Sequence, residues 1–321
     1  MDTAPARDSA PPRTTAADAR RGAPASRRPV LPYLLIAPTV LALAVVLGYP
    51  LAGLLLLSFQ DMTRRELFSG AAPPWAGADN YRTVLTDGFF WEVLARTLLF
   101  TLVCVGVTMA LAVPVALLMR RVDPWLRAVM AGVLVAVWAM PVMVAASVFR
   151  WLSDADDGVL NWLLGLLPGV DLDKHNWFYD PWQGFAVIAG VVVWGALPFA
   201  VLTLEAALTQ VPRELAEAAV LDGANARQLF RHVTLPVIRP ALVLVTALLA
   251  IGCTGVFNEI WLLRGGRPES DYYLLGVYSF IESFAVNRYS TGAAISVITV
   301  LLLLGGAVVY VRRLRALGEI E

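Results

Sequence analysis

Side chains able to do covalent or metal chemistry are scarce in this chain of 321 residues, and those present are poorly spaced for it. The histidines are His175 and His232, well apart, and the cysteines are Cys104 and Cys253, both inside apolar runs. That combination supplies neither a disulfide framework nor a zinc set. Lys174 is the only lysine, and it stands in an acidic stretch without the Gly-x-x-x-x-Gly-Lys-Ser/Thr pattern that cradles nucleotide phosphates. A serine with a histidine base, an HExxH helix and paired aspartates in apolar runs are all missing, which removes the machinery of an intramembrane hydrolase. The expectation is therefore a non-enzyme with no catalytic residue, no metal and no cofactor, whose energy comes from another subunit.

The elements such a chain has to position are membrane helices. Apolar residues make up 58% of the sequence, charged residues 16%, and the formal net charge is zero. Mean hydropathy is +0.67. A soluble domain of this length carries more charge, and nothing here favours a nucleic-acid partner. Six stretches are long and apolar enough for a bilayer core: 31–59, 93–119, 128–149, 184–208, 238–260 and 291–311. The first is long enough that Pro38 and Pro50 are expected to bend or break it, or that it tilts strongly, and Pro114, Pro141 and Pro198 fall inside later ones. No stretch carries a charge near its middle, since Arg96, Glu205 and Glu259 all lie towards ends, so proton or sodium coupling has no residue to act through.

Residues 1–30 are rich in Ala, Pro, Arg and Ser and read as a disordered cytoplasmic tail, with 31–315 as the membrane domain and 316–321 as a short second tail. Arginine placement gives the orientation. With the N-terminus inside, basic residues on the cytoplasmic side outnumber those on the other by two to one, which also puts the C-terminus and the segment 209–240 inside. The external segment between the third and fourth spans holds Asp154, Asp156, Asp157, Asp171, Asp173 and Asp180. Its spacing lacks the alternation and the closing glutamate of a calcium loop, so it reads as a solvated surface. Within it, Leu160, Leu163, Leu164 and Leu167 recur at helical spacing beside Trp162, as a short helix on the membrane surface would require.

The polar island 209–240, TQVPRELAEAAVLDGANARQLFRHVTLPVIRP, reads as helix, glycine turn, helix. Pro212 suits a first helical turn, Glu214 meets the positive dipole end, and Gly223 suits a left-handed C-terminal position. Asn225 and Gln228 have the spacing of a capping box, while Pro236 and Pro240 are expected to end the second helix. Either this is a projecting knob that another protein grips, or it is an ordinary connection lying on its own membrane helices.

Glu217-Ala218-Ala219, Asp222-Gly223-Ala224, Phe230, Val233, Leu235-Pro236 and Pro240 resemble the EAA loop of binding-protein-dependent ABC importer permeases, with Val233 where isoleucine is more usual. Pro38, Tyr49-Pro50, Ser58-Phe59, Asn80-Tyr81, Gly158 with Asn161, Trp194 with Pro198-Phe199, Phe257-Asn258-Glu259-Ile260-Trp261 and Gly292 extend the likeness towards the carbohydrate branch, and the short C-terminus is similar to its maltose F-type half. One departure stands out: where Thr-x-Gly-Gly-Pro commonly follows, this chain has Arg264-Gly265-Gly266-Arg267-Pro268.

The resemblance implies an all-α membrane protein with the six-helix type I ABC importer permease fold. It implies as partners cytoplasmic ABC ATPase subunits, a second homologous permease subunit forming a heterodimer, an extracellular solute-binding protein and membrane lipid. Glu217, Ala218, Ala219, Asp222, Gly223, Ala224, Phe230, Leu235 and Pro236 would dock on the ATPase, with Glu217 in an ion pair with an ATPase arginine or, alternatively, paired within its helix to Arg213. For a sugar cargo, Trp138 and Trp194 lie deep in the third and fourth spans, where indole faces stack on sugar C–H faces and Asn258 binds hydroxyls. Helix packing or lipid contact is the other role open to these tryptophans. A permease of this architecture for amino acids, polyamines or phosphate esters is the alternative function, and a membrane scaffold without transport the remote one.

Overall fold

The computed structural model describes residues 30–316; apart from the helix ends at Val30 and Ala316, both expected tails lie outside the described residues. Contacts part the chain into two compact units, one ending at Ala52 and the other beginning at Gly53. The described part of the first is helical: α1 (Val30–Leu43), a π-helical turn (Ala44–Gly48) and the beginning of α2 (Tyr49–Ser58). Its described side chains, from Tyr33's successor Leu34 onward, are exposed on every face, as a span in lipid requires. Pro38 sits inside α1 without ending it. The π turn closes two residues ahead of Pro50, and the wider turn accommodates a residue that cannot donate to the carbonyl four back.

The second unit opens with two short helices, α3 (Arg64–Ser69) and α4 (Asp79–Thr86), and then α5 (Gly88–Met119). Asp87 starts α5 by accepting the Phe89 N–H at 3.0 Å. There follow α6 (Pro124–Trp138), α7 (Val142–Leu152), α8 (Val159–Gly165) and α9 (Pro181–Leu208). Asp180 caps α9 through the N–H groups of Trp182 and Gln183, at 2.8 and 3.1 Å, with Pro181 in the first turn. Next come α10 (Arg213–Leu221), α11 (Ala226–Leu229), a π turn (Phe230–Thr234) and α12 (Leu235–Thr254). The chain ends with α13 (Asn258–Leu263), α14 (Leu275–Phe280), a third π turn (Ile281–Ala285) and α15 (Tyr289–Ala316).

Three expected boundaries are corrected. The stretch read as one third span is α6 and α7, bent by 94°. Pro141 is the cause: its ring disfavours helical backbone at Met140, and it has no N–H to give Val137 O, which accepts the Met140 N–H at 3.1 Å instead. Second, Pro236 does not end the loop's second helix, because Ala226–Thr254 is one uninterrupted helix that reaches from the loop through the fifth span. Leu235 N–H bonds Phe230 O, five residues back, and this π register carries the helix past Pro236 as it does past Pro50. The same span stops at Thr254, short of the expected Ile260. Among the described residues, five helices are long and apolar enough to cross a membrane, or six with the bent pair taken as one span.

The core forms where α5, α9 and α12 meet. The buried face of α5 carries Thr97, Thr101, Cys104, Thr108, Ala112 and Ala116, small residues at three- and four-residue spacing that let neighbouring backbones approach closely. Ile188, Val201 and Leu204 of α9 and Val245 and Leu249 of α12 fill the facing side. Thr101 and Thr254 share a buried hydrogen bond of 3.3 Å across α5 and α12. A smaller cluster joins Val84, Phe90, Val93, Leu275, Tyr278 and Ile295, tying α4 and the start of α5 to α14 and α15.

Candidate functional site

The polar island folds as the expected helix, turn and helix. Gly223 has φ +84°, the left-handed conformation that ends α10, and an added Cβ there would meet nothing within 4 Å. Ala224 N–H bonds Ala219 O at 2.9 Å and Gly223 N–H bonds Val220 O at 3.0 Å, the paired bonds of a Schellman closure. Both halves of the capping box are present, Gln228 N–H to Asn225 Oδ1 at 3.0 Å and Asn225 N–H to Gln228 Oε1 at 2.8 Å. Backbone bonds and caps within the segment thus hold the turn.

Of the residues assigned to docking, Glu217, Ala218, Asp222, Gly223 and Pro236 are exposed, while Ala219, Ala224, Phe230 and Leu235 are half-buried. Leu221 is 88% exposed, and it borders a groove with Ala216, Glu217, Val220 and Leu229. Among the described residues Glu217 forms no ion pair, so its carboxylate is not taken up by Arg213. Behind the turn, Arg120, Arg121 and Arg213 border a cavity of about 260 Å³ against Leu208 and Phe230. Arg127 donates to Met119 O at 2.8 Å, placing a cation on the C-terminal dipole of α5.

Trp138 and Trp194 come together: both line a cavity of about 300 Å³ between α6, α7, α9 and α12. Trp138 is 61% exposed at the end of α6, and Trp194 leans on Phe149 with ring centroids 5.8 Å apart. Asn258 is exposed at the start of α13 and is not part of this lining, whereas the next residue, Glu259, is. Glu259 is the one charged side chain in that wall. Its place near a predicted span end hid it from the sequence reading, because the break at Gly255 that turns α13 back towards the cavity leaves no mark in hydropathy.

Other residues of the family-like pattern hold the scaffold. Asn80 donates to Ser58 O and Gln60 O at 3.0 and 2.8 Å, satisfying the carbonyl end of α2, and the Ser58 and Tyr81 hydroxyls lie 2.6 Å apart. Asn161 ties the acidic loop by donating to His175 O at 2.9 Å and accepting the Trp177 Nε1–H at 2.7 Å. Asp154 accepts the Asp156 and Asp157 N–H groups, and α8 is the short helix expected there.

The departure at Arg264 is a built feature too. Its guanidinium lies 4.4 Å from the Tyr272 ring centroid and 5.2 Å from that of Phe178, and it grips Glu269 with bonds of 2.9 Å from Nε and 2.6 Å from Nη2. Those hydrogen bonds hold the Glu269 carboxyl below its ordinary value. Gly265 and Gly266, with φ +62° and +77°, make the tight turn that brings arginine and glutamate together.

Comparison with known proteins follows from this geometry. Residues 103–316 match the family described as binding-protein-dependent transport system inner membrane component. The diacetylchitobiose uptake system permease protein DasB of Streptomyces coelicolor is 39% identical over 293 residues, covering 91% of this chain and 89% of that one. The trehalose/maltose transport system permease protein MalF of Thermococcus litoralis is 30% identical over 286 residues, 89% of this chain and 94% of that one. A permease chain in the crystal structure of a bacterial alginate ABC transporter, bound to a pentasaccharide-loaded periplasmic protein, superposes with a TM-score of 0.73 at 19% identity, covering 89% of this chain and 94% of that one, which gives the fold. With the left-handed turn at Gly223, the six-span architecture and these likenesses in hand, the chain belongs to the binding-protein-dependent transport system inner membrane component family and is a multi-pass permease subunit of an ABC importer.

Proposed function

We propose that this chain forms one half of the pathway of an ATP-driven importer for neutral sugars or short oligosaccharides, which an extracellular binding protein delivers. The observation that carries the reading is the likeness, along nine-tenths of the chain, to a diacetylchitobiose permease, with a trehalose/maltose permease beside it. The cavity agrees with such a cargo, because two indoles, Phe199 and aliphatic side chains form most of its wall and the Glu259 carboxyl supplies one group able to bind hydroxyls. Those same relatives make a permease for amino acids, polyamines or phosphate esters the less favoured reading. Residues 31–315 act as the permease domain, with 209–240 as the coupling segment and both termini in the cytoplasm. A second, distinct permease chain completes the pathway.

Energy enters through Glu217, Ala218, Ala219, Asp222, Gly223, Ala224, Phe230, Leu235 and Pro236, docked on cytoplasmic ATPase subunits. What supports coupling is the continuity of Ala226–Thr254. At about 1.5 Å per residue this helix is a lever of roughly 40 Å. One end starts at the Gly223 turn, and near the other Leu248, Leu249, Gly252 and Cys253 line the Trp138–Trp194 cavity. Closure of the ATPase dimer displaces the turn, and a rigid helix delivers that displacement to the cavity wall.

Two measurements test the reading. The complex of this chain with its permease partner and ATPase, in proteoliposomes supplied with its binding protein on the opposite face, is expected to take up labelled N,N′-diacetylchitobiose or maltose only with ATP on the ATPase side. Uptake of an amino acid and of neither sugar would replace the cargo assigned here. For orientation, a cysteine placed at the exposed Ala226 should resist a membrane-impermeant maleimide in intact cells and react after permeabilisation, against the low background of the buried Cys104 and Cys253. Labelling in intact cells would put the turn outside and end the coupling role.

A further inference from the structure

Five aromatic rings from three separate segments form a continuous ladder outside the Trp138–Trp194 cavity. Phe257 and Trp261 stack with centroids 5.4 Å apart and planes inclined by 16°. Phe280 touches both, at 5.1 and 5.0 Å. Phe284 continues from Phe280 at 5.0 Å, and Tyr289 from Phe284 at 6.2 Å. Rings in a core are covered, but Phe284 is 63% exposed, so the ladder is open at that ring, next to the half-buried Tyr289. Beside it lies a cavity of about 380 Å³, bordered by Phe257, Phe280, Phe284 and Tyr289 together with the hydroxyls of Ser279 and Ser283. Ser279 donates to Gly276 O at 3.1 Å, which leaves its lone pairs able to accept.

We propose that this ladder is a binding track for a neutral oligosaccharide, a subsite separate from the Trp138–Trp194 cavity; the proposal rests on the sugar cargo argued above. The chemistry of the wall selects the ligand. Its lining carries no Asp, Glu, Lys, Arg or His, so a charged solute would be desolvated there without a counter-charge. A purely apolar ligand would leave the Ser283 hydroxyl, which has no hydrogen-bond partner among the described residues, unmatched. Aromatic faces with a few hydroxyls suit a molecule whose faces are C–H and whose edges are hydroxyl groups. Position agrees as well. Phe257 faces the track while Val256 and Glu259 face the Trp138–Trp194 cavity, so the turn leading into α13 is the wall between the two. A sugar held on Phe280 and Phe284 would lie against that wall, one step before the inner cavity.

The test uses the full complex in proteoliposomes with its binding protein supplied outside, with uptake of N,N′-diacetylchitobiose and of maltose measured first for the native chain and the transported sugar carried forward. Phe284→Ala is expected to raise KM about three- to tenfold with the maximal rate little changed, because it removes one exposed stacking surface. Phe284→Tyr, which keeps the ring, should restore the native KM, and Phe280→Ala should behave as Phe284→Ala does. An unchanged KM in both alanine variants overturns the track while leaving the importer reading intact. Loss of complex assembly in Phe284→Ala, read by size-exclusion chromatography, would make the ring a subunit contact and likewise overturn it. If the native complex moves neither sugar, the cargo reading fails and the track fails with it.

Discussion

Replacing Gly223 with valine is expected to lower ATP-driven uptake by about tenfold while the complex still assembles and still hydrolyses ATP. The argument is purely conformational. At φ +84° a valine Cβ meets no neighbour within 4 Å, so there is no clash with the rest of the protein to relieve. What is lost is the backbone itself, since a left-handed residue with a branched side chain costs about 1–2 kcal/mol, enough to reduce the native turn's population by roughly tenfold. The turn has little else to hold it, because its bonds are the Schellman pair at Gly223 and Ala224 and the capping box of Asn225 and Gln228. Gly223→Asn is the informative control: asparagine tolerates the left-handed region, so it should keep most of the uptake. Full uptake with valine would mean that the turn does not transmit work. Equal losses with valine and asparagine would point to a need for bare backbone at a docking surface rather than to the φ angle.

How far the sequence carried depended on whether a signal lay within one segment or between several. Gly223 and the Asn225–Gln228 box were legible because turn chemistry is local, and each residue does what its type dictates within four positions. Most spans were legible for the same reason, as runs of apolar residues. The misses involve prolines whose effect depends on what surrounds them. Pro141 breaks its span by 94°, yet Pro38, Pro114 and Pro198 sit inside helices, and Pro50 and Pro236 are carried by π turns. Nothing in a residue's type announces which outcome follows. The Trp138–Trp194 pairing was guessed from depth, but Glu259 rather than Asn258 faces that cavity, because the helix restarts after Gly255 in a direction no periodicity encodes. The aromatic ladder was invisible for a related reason, since Trp261, Phe280 and Tyr289 belong to α13, α14 and α15 and meet only once those helices pack.

The uninterrupted helix Ala226–Thr254 changes how coupling has to be pictured. A hinge at Pro236 would have allowed the docked turn to swing without moving the membrane helix behind it. With the π register carrying the helix past that proline, the proposed coupling would have the turn and α12 move together. The cost of bending must then be borne where α12 stops, at Gly255, immediately before Val256, Phe257 and Glu259. Those three residues separate the inner cavity from the aromatic ladder. On the coupling proposed above, the element that would receive the displacement is the wall between the two compartments, which is where a gate would have to act.

A second large effect is expected at Gly292, in stability rather than in coupling. Gly292 is buried at the start of α15, where that helix crosses α14 and the π turn after it. A Cβ there would coincide with Ser283 Oγ and lie 2.7 Å from Ser279 O and 3.0 Å from Ser283 N. The serine hydroxyl can rotate away, but the carbonyl and the amide are backbone and can retreat only if the two helices separate. Overpacking of that kind costs about 1–3 kcal/mol. The strain would spread into the cluster of Leu275, Tyr278, Ala294 and Ile295 that joins α14 to α15. Gly292→Ala should accordingly lower the thermal unfolding midpoint of the detergent-solubilised complex by several degrees. Gly306→Ala, further along the same helix with nothing within 4 Å of its added Cβ, should leave the midpoint unchanged or raise it slightly through better helix propensity. Equal midpoints for the two variants would show that α14 and α15 do not approach as closely as these distances require.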